Sequence, residues 1–264
     1  QITRKSIHQI QGNVIIDNTL FNTGDGLGVP NDDLMFSYAA PANTIILNQN
    51  SRAIRLIQQN DRYICHQKDI KTDIIAANQQ QLKTCVFNAR STTENTVILT
   101  GCLPKRKTWS MRLAVRYPLY MVKNILQQTL KQHHIQLKGV IKTGKTPHYT
   151  KIMSTHKSAP LSQLLATMLS TSNNLYANSF TKMLGWQTYS IGSMKAGVNA
   201  IITTLHQHQL LGSDQIYLED GAGLSYYNLI TPNATVELLK RIYQNPAWRK
   251  TFLASLPIAG KRGT

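Results

Sequence analysis

Ser158-Ala159-Pro160-Leu161-Ser162-Gln163-Leu164-Leu165-Ala166-Thr167-Met168-Leu169-Ser170-Thr171-Ser172-Asn173-Asn174-Leu175 is the stretch on which the fold turns. Leu161, Leu164, Leu165, Met168 and Leu169 recur at helical spacing and make one apolar stripe, with Ser158 placed as an N-cap and Pro160 near the first helical position. The polar triple Ser172-Asn173-Asn174 interrupts the stripe. A helical pattern then resumes through Leu175, Tyr176, Phe180, Met183 and Leu184, and Gly185 is expected to stop it. The stretch therefore reads as helix, short polar turn, helix.

Outward from it the pattern stays helical. Met194, Ile201, Ile202 and Leu205 predict a further helix, and Thr231-Pro232 opens another that carries Val236, Leu238, Leu239 and Ile242. Upstream, Pro118 suits the first turn of a helix bearing Tyr120, Ile125, Leu126 and Leu130. Before that the character changes. Asn13-Val14-Ile15-Ile16-Asp17, Thr44-Ile45-Ile46-Leu47, Asp73-Ile74-Ile75 and Thr96-Val97-Ile98-Leu99-Thr100 are short β-branched runs between turn residues. The chain thus divides near residue 110, with a β-rich part over 1–109 and a helix-rich part over 110–264. The fold class is α/β, multi-domain. Thr23-Gly24-Asp25-Gly26-Leu27-Gly28-Val29-Pro30 is a loop whose glycines match neither GxGxxG nor a P-loop, so it is not expected to cradle phosphate.

Composition narrows the function classes. The chain has 264 residues, 42% of them apolar, and no run of about 18 apolar residues that would span a membrane. The amino terminus, Gln1 to Lys5, has no apolar stretch behind it that would make a signal peptide. Lys and Arg number 29 against 12 Asp and Glu, a net charge of +17, which favours anionic partners. The charge is spread along the chain, with only short clusters such as Lys105-Arg106-Lys107, and no nucleic-acid-binding signature accompanies it. Cys65, Cys85 and Cys102 lack metal-ligand spacing, and the histidines, His133, His134, His206 and His208 among them, read as exposed helix residues. One disulfide with a free thiol, or three reduced thiols, both fit the cysteines. No metal or organic cofactor is implied.

Ser172-Asn173-Asn174 has the letters of an S-x-N motif, although such a triple between two helices is by itself an ordinary polar turn. Its flanks change that reading. Lys157 to Ser162 precedes it, Asp220-Gly221-Ala222-Gly223-Leu224-Ser225 follows with Asn228 and Thr231-Pro232, and Leu256-Pro257-Ile258-Ala259-Gly260 through Gly263-Thr264 comes last. In this order and spacing the segments resemble the class C, low-molecular-mass penicillin-binding proteins, the D-Ala-D-Ala carboxypeptidase/endopeptidase serine peptidases. Gln11 to Asp17, Tyr38-Ala39-Ala40-Pro41 and Leu99-Thr100-Gly101-Cys102-Leu103-Pro104 extend the resemblance over essentially the whole chain.

The resemblance implies a helix-rich part of a transpeptidase/β-lactamase-like domain over 110–264, with β-rich inserted domain(s) over 1–109. It implies acyl transfer by an active serine, using S-x-x-K, S-x-N and K-T-G motifs. On that reading Ser172 and Asn174 are catalytic, and Asp220, Gly221, Gly223 and Ser225 belong to a loop that shapes the site. Where the family reads Asp-Gly-Ser-Gly-Leu-Ser, this chain has Ala222. Lys142-Thr143-Gly144 and Ser154-Thr155-His156-Lys157 match the other two motifs by letters but stand in the wrong order. They read as a turn and as an approach to a helix. The resemblance therefore makes the chain an interior fragment, inactive alone, without nucleophile or K-T-G strand. Its implied partners are peptidoglycan stem peptides, with β-lactams as covalent inhibitors of a full-length parent, and no nucleic acid. A periplasmic location is implied, with possible peripheral membrane or cell-wall association, and there a Cys85–Cys102 disulfide becomes plausible, leaving Cys65 over. The alternative function is a non-catalytic peptidoglycan-binding or scaffolding remnant of such an enzyme.

Overall fold

The computed structural model describes residues 7–22, 29–210, 212 and 215–263. The glycine-containing loop over 23–28 and the first residues, Gln1 to Lys5, lie outside the described residues. In chain order, β1 (Gln9–Ile10) and β2 (Val14–Ile16) come first. They are followed by β3 (Ser51–Gln59), β4 (Arg62–Ile64), β5 (Ile70–Ala77), β6 (Asn88–Ser91), β7 (Val97–Pro104) and β8 (Thr108–Ala114). Then come α1 (Pro118–Gln132), β9 (Gln136–Leu137), β10 (Ile141–Thr143), α2 (Leu161–Ser170), α3 (Asn174–Tyr189) and α4 (Met194–Gln207). The chain closes with β11 (Ile216–Tyr217), β12 (Leu229–Ile230), α5 (Pro232–Gln244) and α6 (Pro246–Ser255). The architecture is mixed α/β, as expected.

The division near residue 110 does not coincide with the compact units. One unit comprises 1–29, 42–44 and 136–264; the other comprises 30–41 and 45–135. Two long-range parallel pairings move the first strands into the later unit: β1 pairs with β9, and β2 with β10 in register Val14 to Ile141. Residue 110 itself falls inside β8, and α1 stays with the β-rich unit.

The β-rich unit is built on a six-stranded sheet in the order β6-β7-β5-β4-β3-β8. Alternation explains its core. Leu56, Ile74, Leu99 and Leu113 are completely buried on one face, each contributing about 1.5–3 kcal/mol by removal from water. Tyr63 sits among them, its hydroxyl donating to the Pro104 carbonyl (2.7 Å) and accepting from the Arg106 N–H (2.8 Å). Thr44 to Leu47, read as a strand, is instead a bend. Its backbone is held by fully buried Asn50, whose amide donates to Pro41 O and Ile45 O and accepts from Leu47 N. Asn95 exchanges two hydrogen bonds with the backbone of Tyr117, fixing the entry to α1. Arg116 donates to Leu34 O and Ala39 O, and burial lowers its pKa. Cys85 and Cys102 form a disulfide, and Cys65 is free.

The helical unit shows four departures from the sequence reading. The first residue of α2 is Leu161, with Pro160 rather than Ser158 at the N-cap. α3 continues through Gly185 and ends at Ser190 in the left-handed region (φ 56°). The glycine is inside the helix because a Cβ there would lie 2.6 Å from Gly197 N on α4. Close approach of two helices, not helix termination, requires it. His206 is half-buried on α4, its Nε2 without a partner among the described residues. α6 had no counterpart in the sequence reading.

Candidate active site

The Ser172 triple is an elbow between α2 and α3. Ser172 is in the left-handed region (φ 49°), which reverses the chain in a single residue. The Asn173 N–H then donates to Met168 O (2.9 Å), closing the end of α2. Asn173 also caps the next helix, its Oδ1 accepting from Tyr176 N (3.1 Å). One residue thus ends one helix and starts another, leaving the Ser172 side chain exposed and Asn174 half-buried at the first position of α3.

Asn178 and Thr181 follow Asn174 by four and seven residues, so they share one face of α3. That face receives the 220–225 loop. Gly221 N–H donates to Asn178 Oδ1 (3.0 Å), and a Cβ on Gly221 would fall 1.8 Å from Thr181 Oγ1. The loop is held from within by Asp220, which is buried at 4% exposure. Its carboxylate accepts from Gly223 N (2.8 Å), Leu224 N (3.1 Å), Ser225 N (3.1 Å) and Asn228 Nδ2 (2.7 Å). Asn228 Oδ1 accepts in turn from Glu219 N and Asp220 N. Gly223 has φ 76°, a conformation that favours glycine. Ser225 is buried, its Oγ accepting from Tyr227 N (3.2 Å). The antiparallel pair β11–β12 closes the loop's base, Tyr217 facing Leu229. Asp220, Gly221, Gly223 and Ser225 are therefore engaged in holding the loop's own shape, and Ala222 is half-buried in it.

α3 is the element that brings the Ser172–Asn174 elbow and the 220–225 loop to one helix. Asn178, Thr181 and Lys182 were not singled out by the sequence, whereas Asn228 belongs to the segment it did single out. The available signal was polar residues spaced four, seven and eight after Asn174, on a helix otherwise read by its apolar positions. Lys182 is 3% exposed, and its Nζ donates to Asn22 O (2.9 Å) beside the Phe21 ring. That segment is tied to the α3–α4 turn as well, through Asn22 N–H to Gly192 O (2.8 Å).

The look-alike motifs stand elsewhere in the unit. Lys142 and Thr143 are not in a turn but in β10, paired with Ile15 and Ile16, because Ile141 of that strand is buried. Ser154 to Lys157 is an exposed, irregular stretch leading to α2, and Ser154 and Lys157 make no hydrogen bond among the described residues. No group of three or more His, Cys, Asp or Glu side chains that could hold a metal ion exists among the described residues. Nor is any described helix long and apolar enough to cross a membrane.

Comparison with known proteins places this architecture. The chain is 32% identical over 173 residues to a D-alanyl-D-alanine carboxypeptidase of Actinomadura sp., covering 63% of this chain and 31% of that protein. It is 25% identical over 275 residues to the D-alanyl-D-alanine carboxypeptidase DacB of Haemophilus influenzae, covering 100% of this chain and 57% of that one. The crystal structure of penicillin binding protein 4 from Haemophilus influenzae matches with a TM-score of 0.89 at 23% identity, over 100% of this chain and 60% of that one. The chain therefore spans between about a third and three fifths of the length of these relatives. A model of one family matches all of residues 1–264, and the chain belongs to that family, the D-Ala-D-Ala carboxypeptidase 3 (S13) family.

Proposed function

We propose that this chain is part of a serine-type D-alanyl-D-alanine carboxypeptidase/endopeptidase of the periplasm, cleaving peptidoglycan stem peptides through an acyl-enzyme. The observation that carries the reading is the family match over the whole chain, joined to the exposed Ser172 on a left-handed elbow beside the N-terminus of α3. A structure of the Haemophilus influenzae neighbour holds a β-lactam, and β-lactams are the expected covalent inhibitors of the parent enzyme here.

In this proposal a serine nucleophile and its lysine, together with a carboxylate-binding Lys-Thr-Gly strand, come from sequence flanking the 264 residues. The neutral lysine takes the serine proton as the serine oxygen attacks the carbonyl of the penultimate D-alanine, the amide C–N bond breaks as the acyl-enzyme forms, and water then hydrolyses the ester and restores the serine hydroxyl. Ser172 Oγ accepts a proton from the lysine and donates its own to the departing amine, so the leaving D-alanine departs neutral at nitrogen. Asn174, at the first position of α3, orients the lysine and the scissile amide through its side-chain amide. The 220–225 loop acts by holding shape. Ala222 removes the hydroxyl that the family usually presents there.

Fluorescent-penicillin labelling tests the reading. The full-length parent should label and the 264-residue chain should not. A folded parent that fails to label favours the non-catalytic, peptidoglycan-binding remnant. Labelling or D-alanine release by the 264-residue chain itself refutes the placement of the nucleophile outside it.

A further inference from the structure

The register of the six-stranded sheet sorts its side chains into two faces, and the face away from the core is basic. Lys71, Asp73 and Ile75 alternate with buried Ile70 and Ile74 on β5. Arg62 pairs with Ile75, Arg55 with Ser110, Ala53 with Arg112, and Arg90 with Ile98, which places all of them on that same face. Arg55, Arg62, Lys71, Arg90 and Arg112 are all exposed. The one acid of this face, Asp73, is already ion-paired with Arg62.

Arg55 and Arg112 are diagonal neighbours across β3 and β8, roughly 7–8 Å apart by the geometry of such pairs. Arg55 has no ion-pair partner among the described residues, and Arg112 donates along the same face to buried Ser51, Nη2 to Oγ at 2.7 Å. A shallow depression of about 500 Å³ opens there; Arg55, Gln67, Ser110 and Arg112 line it together with Ala53, Ile54 and Met111. The two arginines lie on one face of adjacent strands, and no acid is paired with Arg55 among the described residues. A carboxylate reaching this face can accept paired N–H bonds from the planar fork of a guanidinium.

We propose that this sheet face binds the carboxylate-bearing peptide strands of peptidoglycan, holding the chain on the polymer. The proposal rests on the reading under Proposed function for the identity of the polymer. Two observations set nucleic acid and lipid aside. The face presents no aromatic ring on which bases would stack or that would anchor in a bilayer interface. The Cys85–Cys102 disulfide in the same unit also belongs to an oxidising compartment.

The test is co-sedimentation of the 264-residue chain with insoluble peptidoglycan sacculi. The double variant R55Q/R112Q should lower retention by between about twofold and tenfold, the range for two exposed guanidinium–carboxylate contacts. K157Q/K195Q, an equal change of charge in the other unit, should leave retention unchanged. Near-UV circular dichroism confirms that both variants are folded. Amidating the carboxylates of the sacculi should abolish the advantage of the unaltered chain over R55Q/R112Q. Equal losses from both double variants, no loss from R55Q/R112Q, or an undiminished effect on amidated sacculi overturns the proposal. So does a larger R55Q/R112Q effect on phosphatidylglycerol vesicles or duplex DNA. Penicillin labelling of the parent reads the enzymatic assignment separately, so failure of either leaves the other measurable.

Discussion

Replacing Gly221 by alanine should destabilise the helical unit by about 2–3 kcal/mol, at the upper end of the cost of overpacking. The added Cβ would sit 1.8 Å from Thr181 Oγ1, 2.8 Å from Thr181 Cβ and 3.1 Å from Ala177 O. An ordinary contact is about 3.4–4 Å, so the loop has to retreat by more than an ångström. Retreat stretches the 3.0 Å bond from Gly221 N–H to Asn178 Oδ1, which is the tie between the 220–225 loop and α3. Neither side yields easily. Thr181 is 3% exposed and its hydroxyl already donates to Ala177 O (2.9 Å), while the loop is fixed internally by the Asp220 carboxylate. For a domain of this size the loss corresponds to a fall in melting temperature of about 4–12 °C. Urea denaturation followed by circular dichroism is the assay, on G221A, T181A and the double variant. T181A removes the nearest atom and leaves the 2.8 Å contact, so the double variant should be more stable than the sum of the single losses by about 1 kcal/mol. A G221A change within about 0.5 kcal/mol of zero, or strict additivity of the pair, refutes the steric argument.

Asp220→Ala leaves three backbone N–H groups and the Asn228 amide without their acceptor, and should cost about 3 kcal/mol, read by the shift in urea midpoint; a loss below about 1 kcal/mol would mean water replaces the carboxylate freely. Titration of the unreduced, unfolded chain should find one free thiol, that of Cys65, and reduction of the Cys85–Cys102 bridge, 17 residues apart, should lower stability of the β-rich unit by about 3 kcal/mol; three free thiols before reduction would contradict the bridge. The Asp17 carboxylate accepts from the N–H and hydroxyl of both Thr19 and Thr146, which holds its pKa well below the ordinary 3.8. A group depressed in the folded state stabilises above its unfolded pKa and loses that contribution as pH falls through the folded value. Stability of the unaltered chain should therefore decline relative to Asp17→Asn as pH drops below about 4, and parallel pH profiles for the two would show the carboxylate contributes nothing.

Sequence by itself determined the elements whose signal is local. The β-branched runs at Val14–Ile16, Ile74–Ile75 and Val97–Leu99 are in strands, and Pro118, Met194 and Pro232 each begin a helix, because alternation, apolar spacing and proline's fixed φ act within a few residues. The order of the segments around Ser172-Asn173-Asn174 was likewise enough to identify the family. What tertiary structure alone decided depends on residues distant in the chain. Residues 9–16 join the helical unit through parallel pairing with residues 136–143, which no composition change near residue 110 could reveal. Gly185 reads locally as a helix stop and is a contact point instead, because Gly197 N of α4 lies where its Cβ would be. Asn178 and Thr181 carry no local signal of a role, which appears only when the loop at Gly221 is placed against them. Local backbone preference was written in the sequence; close approach between elements is a property of their final packing, and there the choice of glycine, asparagine and threonine acquires its reason.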